Sequence, residues 1–294
     1  MRWRDLRKST NVDDVRGRGR SGGRRSGGMP LRVGGMKSGI GMLIVLGIVY
    51  FLGGPEMISA FLGGGGLSTG RQADTPAPQG QAANDVAGEF IAAVLGSTED
   101  EWQRLFAASG EQYQAPRLTR FSGSVQSACG YASAASGPFY CPADRRVYID
   151  TAFFNELARM GGAGDFAQAY VIGHEIGHHV QNILGVAGQV RNAQGRVGQV
   201  ESNRLQVAME LQADCYAGVW AHHANRRNAL LEPGDVDEGL SAAAAIGDDT
   251  LQRNAGRRVT PESFTHGTSS ERQEWLRAGL ASGDPASCDT FGGG

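Results

Sequence analysis

The sequence of 294 residues contains only four cysteines and has no Cys-x-x-Cys pair. This absence argues against a zinc site built from thiolates, which commonly uses that spacing. No internal repeat is evident, and one domain with extensions is the expected organisation at this length. If the domain lies outside the cytoplasm, two disulfides can form, and three pairings are possible. The spacing favours Cys129 with Cys141, which leaves Cys215 for Cys288.

Net charge is also small, at −2, but this value hides an uneven distribution. Residues 1–38 carry 11 Lys and Arg against three Asp, whereas the rest of the chain carries 17 basic and 27 acidic residues. The basic segment has no aromatic residue after Trp3 and no folded nucleic-acid-binding motif. It is therefore predicted to be a disordered cytoplasmic segment whose charge sets membrane topology, and no nucleic acid is expected as a partner. A nucleic-acid-associated protein acting through this segment is an alternative.

Charge is absent altogether from residues 39–54, and the apolar stretch resumes after Glu56 and continues to residue 62. The uncharged run falls a little short of the roughly 20 residues that span a bilayer, but it lacks the polar face of a soluble helix. Residues 39–62 are therefore predicted to be a single transmembrane anchor. By the positive-inside rule, the N-terminus is cytoplasmic and the domain periplasmic or extracellular, at the inner membrane of a bacterium. Residues 63–84, rich in Gly, Pro, Gln and Ala, are predicted to be a flexible linker.

The remaining residues, 85–294, are predicted to form one folded domain. Residues 85–110 have the pattern of two helices that separate near Gly96. The alternating, β-branched stretch Arg146–Asp150 predicts a strand, and as an edge strand it could bind a peptide substrate by strand addition. The next predicted helices cover residues 151–160 and 165–184.

The second of these helices carries the sequence VIGHEIGHHVQN, which contains His174, Glu175 and His178 in the order H-E-x-x-H. Residues four apart lie on one face of a helix, so the two histidines present their imidazoles to a common point. Glu175 lies about a quarter-turn away, where it could reach a metal-bound water without being a ligand. The pattern also occurs on exposed helices without metal. Here apolar residues surround it, and buried imidazoles without partners are costly, so the motif indicates a zinc ion.

A catalytic zinc takes three protein ligands and a water, so a third ligand is needed. The metzincin pattern would require Gly at 181 and His at 184, but the chain has Gln181 and Leu184. A second helix instead offers Glu210 as a ligand. Asp214, four residues later on the same face, can contact the outer nitrogen of a histidine. One Zn²⁺ held by the two histidines and Glu210 is therefore predicted.

Two further residues are candidates for catalytic work near the metal. His266 precedes a predicted helix, and it could donate a hydrogen bond to a transition-state oxyanion or merely pack. Arg272 is the second candidate for that role. The other histidines, His179, His222 and His223, are expected to have structural or surface positions.

Five stretches carry a family resemblance: SACGYASAASGPFYCPADRRVYID, VIGHEIGHHVQN, ELQADCYAGVW, FTHGTSSERQEWLRAG and DPASCDTF. Together with MRWRDLRKSTNVDDVRG at the start and one apolar segment, they resemble the bacterial neutral zinc metallopeptidase family (YpfJ-like) over nearly the whole chain. The resemblance implies an α+β, mainly helical, zincin-like metallopeptidase domain with a small sheet. It also implies zinc ligands at His174, His178 and Glu210, with Glu175 catalytic.

These features predict a membrane-anchored zinc metalloendopeptidase of the gluzincin type. Glu175 would act as general base toward a zinc-activated water. The expected partners are a peptide or protein substrate and, through residues 39–62, a lipid bilayer. The alternative is a catalytically silent, zinc-stabilised envelope scaffold, but a purely structural site has no use for the base Glu175.

Overall fold

The computed structural model describes residues 1–17 and 85–292, and most of their regular structure is helical. The α-helices are α1 (Val86–Ala108), α2 (Ala152–Arg159), α3 (Asp165–Ile183), α4 (Val186–Gln194), α5 (Gln199–Asn228), α6 (Asp235–Ala245), α7 (Asp248–Asn254) and α8 (Ser269–Ser282). The strands are β1 (Val12–Asp14), β2 (Arg117–Phe121), β3 (Ser124–Ser127), β4 (Gly130–Ser133), β5 (Phe139–Cys141) and β6 (Arg146–Asp150). The predicted α+β, mainly helical class with a small sheet is confirmed.

A four-stranded sheet has the order β1-β2-β6-β5, in which β1, β2 and β6 are parallel and β5 is antiparallel to β6. β3 and β4 form a separate antiparallel hairpin. The predicted strand Arg146–Asp150 is confirmed as β6. Its predicted position at an edge is wrong, because β6 pairs with a strand on each side and Val147, Tyr148 and Ile149 are all buried. Within the described ranges, β1 and β5 are the edges of this sheet.

Helix α3 contacts α1, α5 and α6, and α5 packs in turn against α8. Phe166, Ile172, Ile176 and Val180 anchor α3 in the main hydrophobic core. The bounds of α2 and α3 agree to within a residue or two with the predicted helices, so both predictions are confirmed. Because α3 is covered on several sides, the polar side chains of its motif are enclosed by the fold.

Helix α1 is continuous, so the predicted break near Gly96 is wrong. A Cβ at Gly96 would lie 2.2 Å from the carbonyl oxygen of Arg7, so this glycine provides room for the N-terminal segment. Thr98 is buried, and its hydroxyl donates to the carbonyl of Leu95 within the same helix. Tertiary packing explains these polar and small residues, which in the sequence alone resemble a helix boundary.

Residues 1–17 pack against the rest of the described chain through apolar and ionic contacts. The buried Trp3 ring meets Phe90 edge-to-face, with ring centroids 5.5 Å apart. Arg7 ion-pairs with Glu99 of α1 at 2.8 Å, and β1 extends the sheet beside β2. This segment is part of the folded domain.

The prediction of a disordered segment over residues 1–38 is therefore wrong for residues 1–17. Carboxylates on other elements compensate several of the basic side chains there, so the segment is not a free polycation. Residues 18–84, which include the predicted anchor (39–62) and the predicted linker (63–84), lie outside the described residues.

The pairing of β1 with β2 also bears on the predicted membrane topology. A single crossing by residues 39–62 would place residues 1–17 and 85–292 on opposite sides of a bilayer, where they could not share a sheet. The predicted combination of a cytoplasmic N-terminus with a periplasmic or extracellular domain is contradicted by this pairing. Among the residues that the structure describes, no helix is both long and apolar enough to cross a membrane.

Both predicted disulfides are present. Cys129 is bonded to Cys141, which ties the loop between β3 and β4 to β5. Cys215 is bonded to Cys288, which ties α5 to a 3-10 turn at Pro285–Cys288. The second bridge therefore holds the end of the described chain against the helix that carries Glu210.

Candidate metal centre

Helix α3 turns its H-E-x-x-H motif toward α5. His174 and Glu175 are each 7% exposed, and His178 is half-buried. The two imidazole rings meet edge-to-face, with centroids 4.7 Å apart and planes at 86°. This is the arrangement expected for histidines one helical turn apart.

The ring nitrogens of the two histidines converge on a carboxylate oxygen of α5. Glu210 Oε2 lies 3.1 Å from His174 Nε2 and 3.4 Å from His178 Nε2. Zinc bonds of about 2.0–2.1 Å in a tetrahedral arrangement separate neighbouring ligand atoms by about 3.3 Å. The donor atoms and their spacing therefore fit one Zn²⁺ held by the three predicted ligands.

Two glycines of α3 allow α5 to come close enough for this convergence. A Cβ at Gly173 would lie 2.9 Å from the ring of Trp220. A Cβ at Gly177 would lie 2.8 Å from the backbone oxygen of Ala213. Each glycine immediately precedes one of the histidines, so the two helices meet most closely beside the ligands.

The outer nitrogen of His174 contacts Asp214, as predicted from the E-x-x-x-D spacing. Asp214 Oδ1 lies 2.7 Å from His174 Nδ1 and accepts a 2.5 Å hydrogen bond from the Tyr170 hydroxyl. Burial raises the pKa of the Asp214 carboxyl, but the charge of Arg272 and the contact with His174 outweigh burial and bring this pKa to about 2. The ionised carboxylate accepts a hydrogen bond from His174 Nδ1–H and leaves Nε2 to face Glu210.

Arg272 contacts Asp214 and is buried, with 2% of its surface exposed. Its Nε lies 2.8 Å from Asp214 Oδ2, and its Nη2 lies 2.9 Å from Oδ1 and 3.1 Å from the Tyr170 hydroxyl. This is a bidentate contact between the planar guanidinium and the carboxylate. The predicted role of Arg272 as an oxyanion donor is therefore replaced by that of a positioning residue.

Glu210 is oriented by its own helix. Gln206, one turn earlier, donates to Glu210 Oε1 at 2.9 Å, which leaves Oε2 for the histidines. Burial raises the pKa of the Glu210 carboxyl, but the charge of His178 and the hydrogen bond with His174 more than offset burial and hold this pKa well below its usual value. Glu210 is thus an anionic carboxylate between two imidazoles.

The Glu175 carboxylate is placed differently from that of Glu210. Burial raises its pKa, although the positive charge of His174 and His178 acts in the opposite direction. Among the described residues, no hydrogen bond or ion pair engages this carboxylate. It is therefore a buried carboxylate beside the predicted metal ligands, and its oxygens have no hydrogen-bond partner among the described residues.

His266 lies near the metal ligands, close enough to Glu210 for their charges to interact. Asp248, at the start of α7, accepts hydrogen bonds from the backbone of Thr265, His266 and Gly267. The Asp248 carboxylate also lies 3.2 Å from His266 Nδ1. Burial lowers the pKa of His266, but the hydrogen bond with Asp248 outweighs burial and raises it. Asp248 therefore fixes both the loop and the ring, and it favours a proton on the imidazole.

The sequence predicts the three candidate ligands, which the structure brings together, but not most of the residues that contact them. The one available signal was the pair of glycines four apart inside a helical pattern, since such glycines usually have a packing reason. Tyr170, Gln206 and Asp248 gave no signal, because their roles depend on how helices far apart in the chain are packed.

The model of one protein family, described as Putative neutral zinc metallopeptidase, matches residues 1–291. The uncharacterized protein YpfJ of Escherichia coli K12 is 44% identical over 293 residues, which is 99% of each chain. Uncharacterized proteins of Mycobacterium bovis and Mycobacterium tuberculosis are each 44% identical over 212 residues, 68% of this chain and 69% of theirs. No solved structure matches the chain significantly. The family match and the full-length similarity show that the chain belongs to this family of neutral zinc metallopeptidases.

Proposed function

We propose that this protein is a zinc metalloendopeptidase of the gluzincin type, with Glu175 as general base. One observation supports this most strongly: three ligand atoms converge at zinc spacing beside a carboxylate that no other described residue engages. A structural zinc site usually has four protein ligands, whereas a catalytic site has three and an open position. Three protein ligands with a nearby base match the catalytic arrangement.

Each residue has a distinct role in this proposal. When bound, zinc lowers the pKa of a water molecule toward about 7 and polarises the scissile carbonyl. Glu175 would take a proton from the attacking water as its oxygen bonds to the carbonyl carbon, and would deliver that proton to the amine nitrogen as the C–N bond breaks. His266, held by Asp248, donates a hydrogen bond to the oxygen that becomes negative in the transition state. Asp214 and Arg272 keep His174 in the required orientation.

The disulfides support a location outside the cytoplasm, because thiols inside are kept reduced. Since residues 1–17 are part of the same fold, they would also lie outside the cytoplasm. The proposed substrate is a peptide or protein in that compartment.

Glu175→Gln in the purified full-length chain tests the enzymatic proposal. Wild type and variant should each bind about one zinc, since Glu175 is not among the ligands. The variant should cleave a peptide library about 10²–10⁴-fold more slowly, because a general base contributes a factor of that size. Metal content is measured by elemental analysis, and cleavage is measured by mass spectrometry.

The matched control is Glu274→Gln, the same change at an exposed position of α8, which should leave both measurements unaltered. Zinc binding without cleavage by the wild type would favour the silent scaffold. Equal cleavage by wild type and Glu175→Gln would remove Glu175 from the mechanism.

A further inference from the structure

Gln181, one turn after His178 on α3, is fully buried and makes three hydrogen bonds. Its Oε1 lies 2.9 Å from His178 Nδ1. Its Nε2 lies 2.7 Å from the carbonyl oxygen of Met209 and 3.1 Å from Gln212 Oε1. Gln181 therefore links the outer face of a proposed zinc ligand to the backbone of α5.

The carbonyl of Met209 fixes which way the Gln181 amide points. A carbonyl only accepts hydrogen bonds, so the NH₂ group of Gln181 must face Met209. The amide oxygen must then face His178, where it too can only accept. The proton of the neutral His178 ring consequently belongs on Nδ1, and the lone pair on Nε2 points to the space that His174 and Glu210 share.

A second glutamine extends this chain of hydrogen bonds, in which each amide has a fixed orientation. Gln212 Nε2 donates to the carbonyl of Cys288 at 2.9 Å, which turns Gln212 Oε1 toward Gln181. Cys288 is bonded to Cys215, one turn further along α5, and Thr290 donates to the carbonyl of Ala208 at 2.6 Å. The end of the described chain is thus attached to α5 on both sides of Glu210.

We propose that Gln181 is the positioning residue that fixes the tautomer of His178, and that Gln212 and the Cys288 carbonyl, held by the Cys215–Cys288 disulfide, fix the orientation of Gln181. The inference rests on the proposed zinc site. The two histidines then have unlike supports. His174 is oriented by a carboxylate with a buried counterion, whereas His178 is oriented by a neutral amide chain that adds no charge.

Gln181→Met removes both ends of the amide at nearly constant volume, and zinc affinity should fall about 10–100-fold, as for other residues that support metal ligands. Affinity is measured by competition with a chelator. The second readout is the His178 Nδ1 proton in the zinc-loaded full-length protein, followed by NMR with ¹⁵N-labelled histidine. Its exchange with water should become at least about tenfold faster in the variant, because its buried acceptor is gone.

Two further variants separate positioning from folding. Gln212→Met removes the outer member of the chain and should weaken zinc binding less than Gln181→Met, because Gln181 keeps its bond to Met209. Gln252→Met is the matched control: this glutamine, on α7, is also buried and hydrogen-bonded, to Ser263 and Thr260. It should leave zinc affinity and the His178 proton as in wild type.

The inference is overturned if Gln181→Met and Gln212→Met both keep zinc affinity and proton exchange within about twofold of wild type. It is also overturned if Gln252→Met changes them as much as Gln181→Met does. Failure of the wild type to bind zinc is a different result, which would remove the proposed function and this inference with it.

Discussion

At the scale of single residues, the centre depends on a carboxylate that has no contact with solvent. Asp214 is 0% exposed, yet Tyr170, His174 and Arg272 together keep it ionised. A buried charge is tolerated only when it is paired and hydrogen-bonded. The tautomer of His174 therefore depends on Arg272, which holds Asp214 and lies 3.4 Å from His174 Nδ1, the nitrogen on the side of the ring away from Glu210.

Removal of Arg272, the counterion of Asp214, should destabilise the protein. Arg272→Met leaves Asp214 buried without its guanidinium, and breaking one side of a buried pair costs about 3–5 kcal/mol of unfolding free energy. The low end is expected, since His174 and Tyr170 remain. Equilibrium unfolding in urea, with a chelator present to exclude metal binding, gives the difference.

Arg277→Met is the control, because Arg277 lies on the exposed face of the same helix. Its free energy of unfolding should stay within about 0.5 kcal/mol of wild type. Similar losses in the two variants would mean that the pair with Asp214 contributes nothing specific.

Local spacing explains why the proposed ligands could be predicted from the sequence and their supports could not. His174 and His178 are one turn apart, as are Glu210 and Asp214, so helix geometry alone places each pair on one face. In the sequence, Gln181 only excludes the metzincin pattern. Its contact with Met209 depends on how α3 crosses α5, which no local pattern encodes.

At the scale of elements, the crossing of α3 and α5 determines the distance between the proposed ligands. Gly173 and Gly177 remove the side chains that would hold the helices apart. Because the closest atom to a Cβ at Gly177 belongs to the backbone of Ala213, no rotamer change can relieve the overlap.

Gly177→Ala should therefore separate the helices beside His178. Overpacking of this kind costs about 1–3 kcal/mol of unfolding free energy, and the displaced ligands should weaken zinc binding by about tenfold. Urea unfolding and chelator competition measure the two effects. Gly188→Ala, on α4 with no atom within 4 Å of the new Cβ, is the control. It should bind zinc as wild type does and gain up to about 1 kcal/mol from helix propensity. Equal zinc affinity in the two variants would show that the close crossing is not needed.

At the scale of the whole molecule, residues 1–17 and 85–292 belong to one fold, so they must share one side of any membrane. The sequence alone favours opposite sides, because basic residues before an apolar stretch are typical of topogenic charge. β1 is only three residues long and contains two aspartates, so no strand pattern was visible. Its partner strand is about 100 residues away, and pairing at that separation is outside the reach of periodicity.

Crosslinking in intact cells tests both the shared side and the compartment. Lys8 and Glu89 form an exposed ion pair at 2.7 Å, so replacing both by cysteine should cost little stability. A short bifunctional thiol reagent that does not cross the inner membrane should link the two positions within one chain, as detected by mass spectrometry. Single-cysteine variants are the controls, and they should be labelled without forming a link.

Other results of this experiment would each remove one part of the proposal. Labelling of position 89 in intact cells, with position 8 reached only after lysis, would mean that the two segments lie on opposite sides. A link that forms only after lysis would keep the shared side and place the domain in the cytoplasm.

The pairing of β1 with β2 also affects the order in which parts of the domain fold. At a synthesis rate of about 5–20 residues per second, roughly 5–20 s pass between completion of β1 and completion of β2. Until β1 pairs with β2, the edge of β2 that faces β1 has no partner. Parallel strands far apart in the chain pair slowly, because the loop between them must close first. We therefore expect docking of the N-terminal strand to be a late step in folding, during which the nascent sheet is most exposed to aggregation.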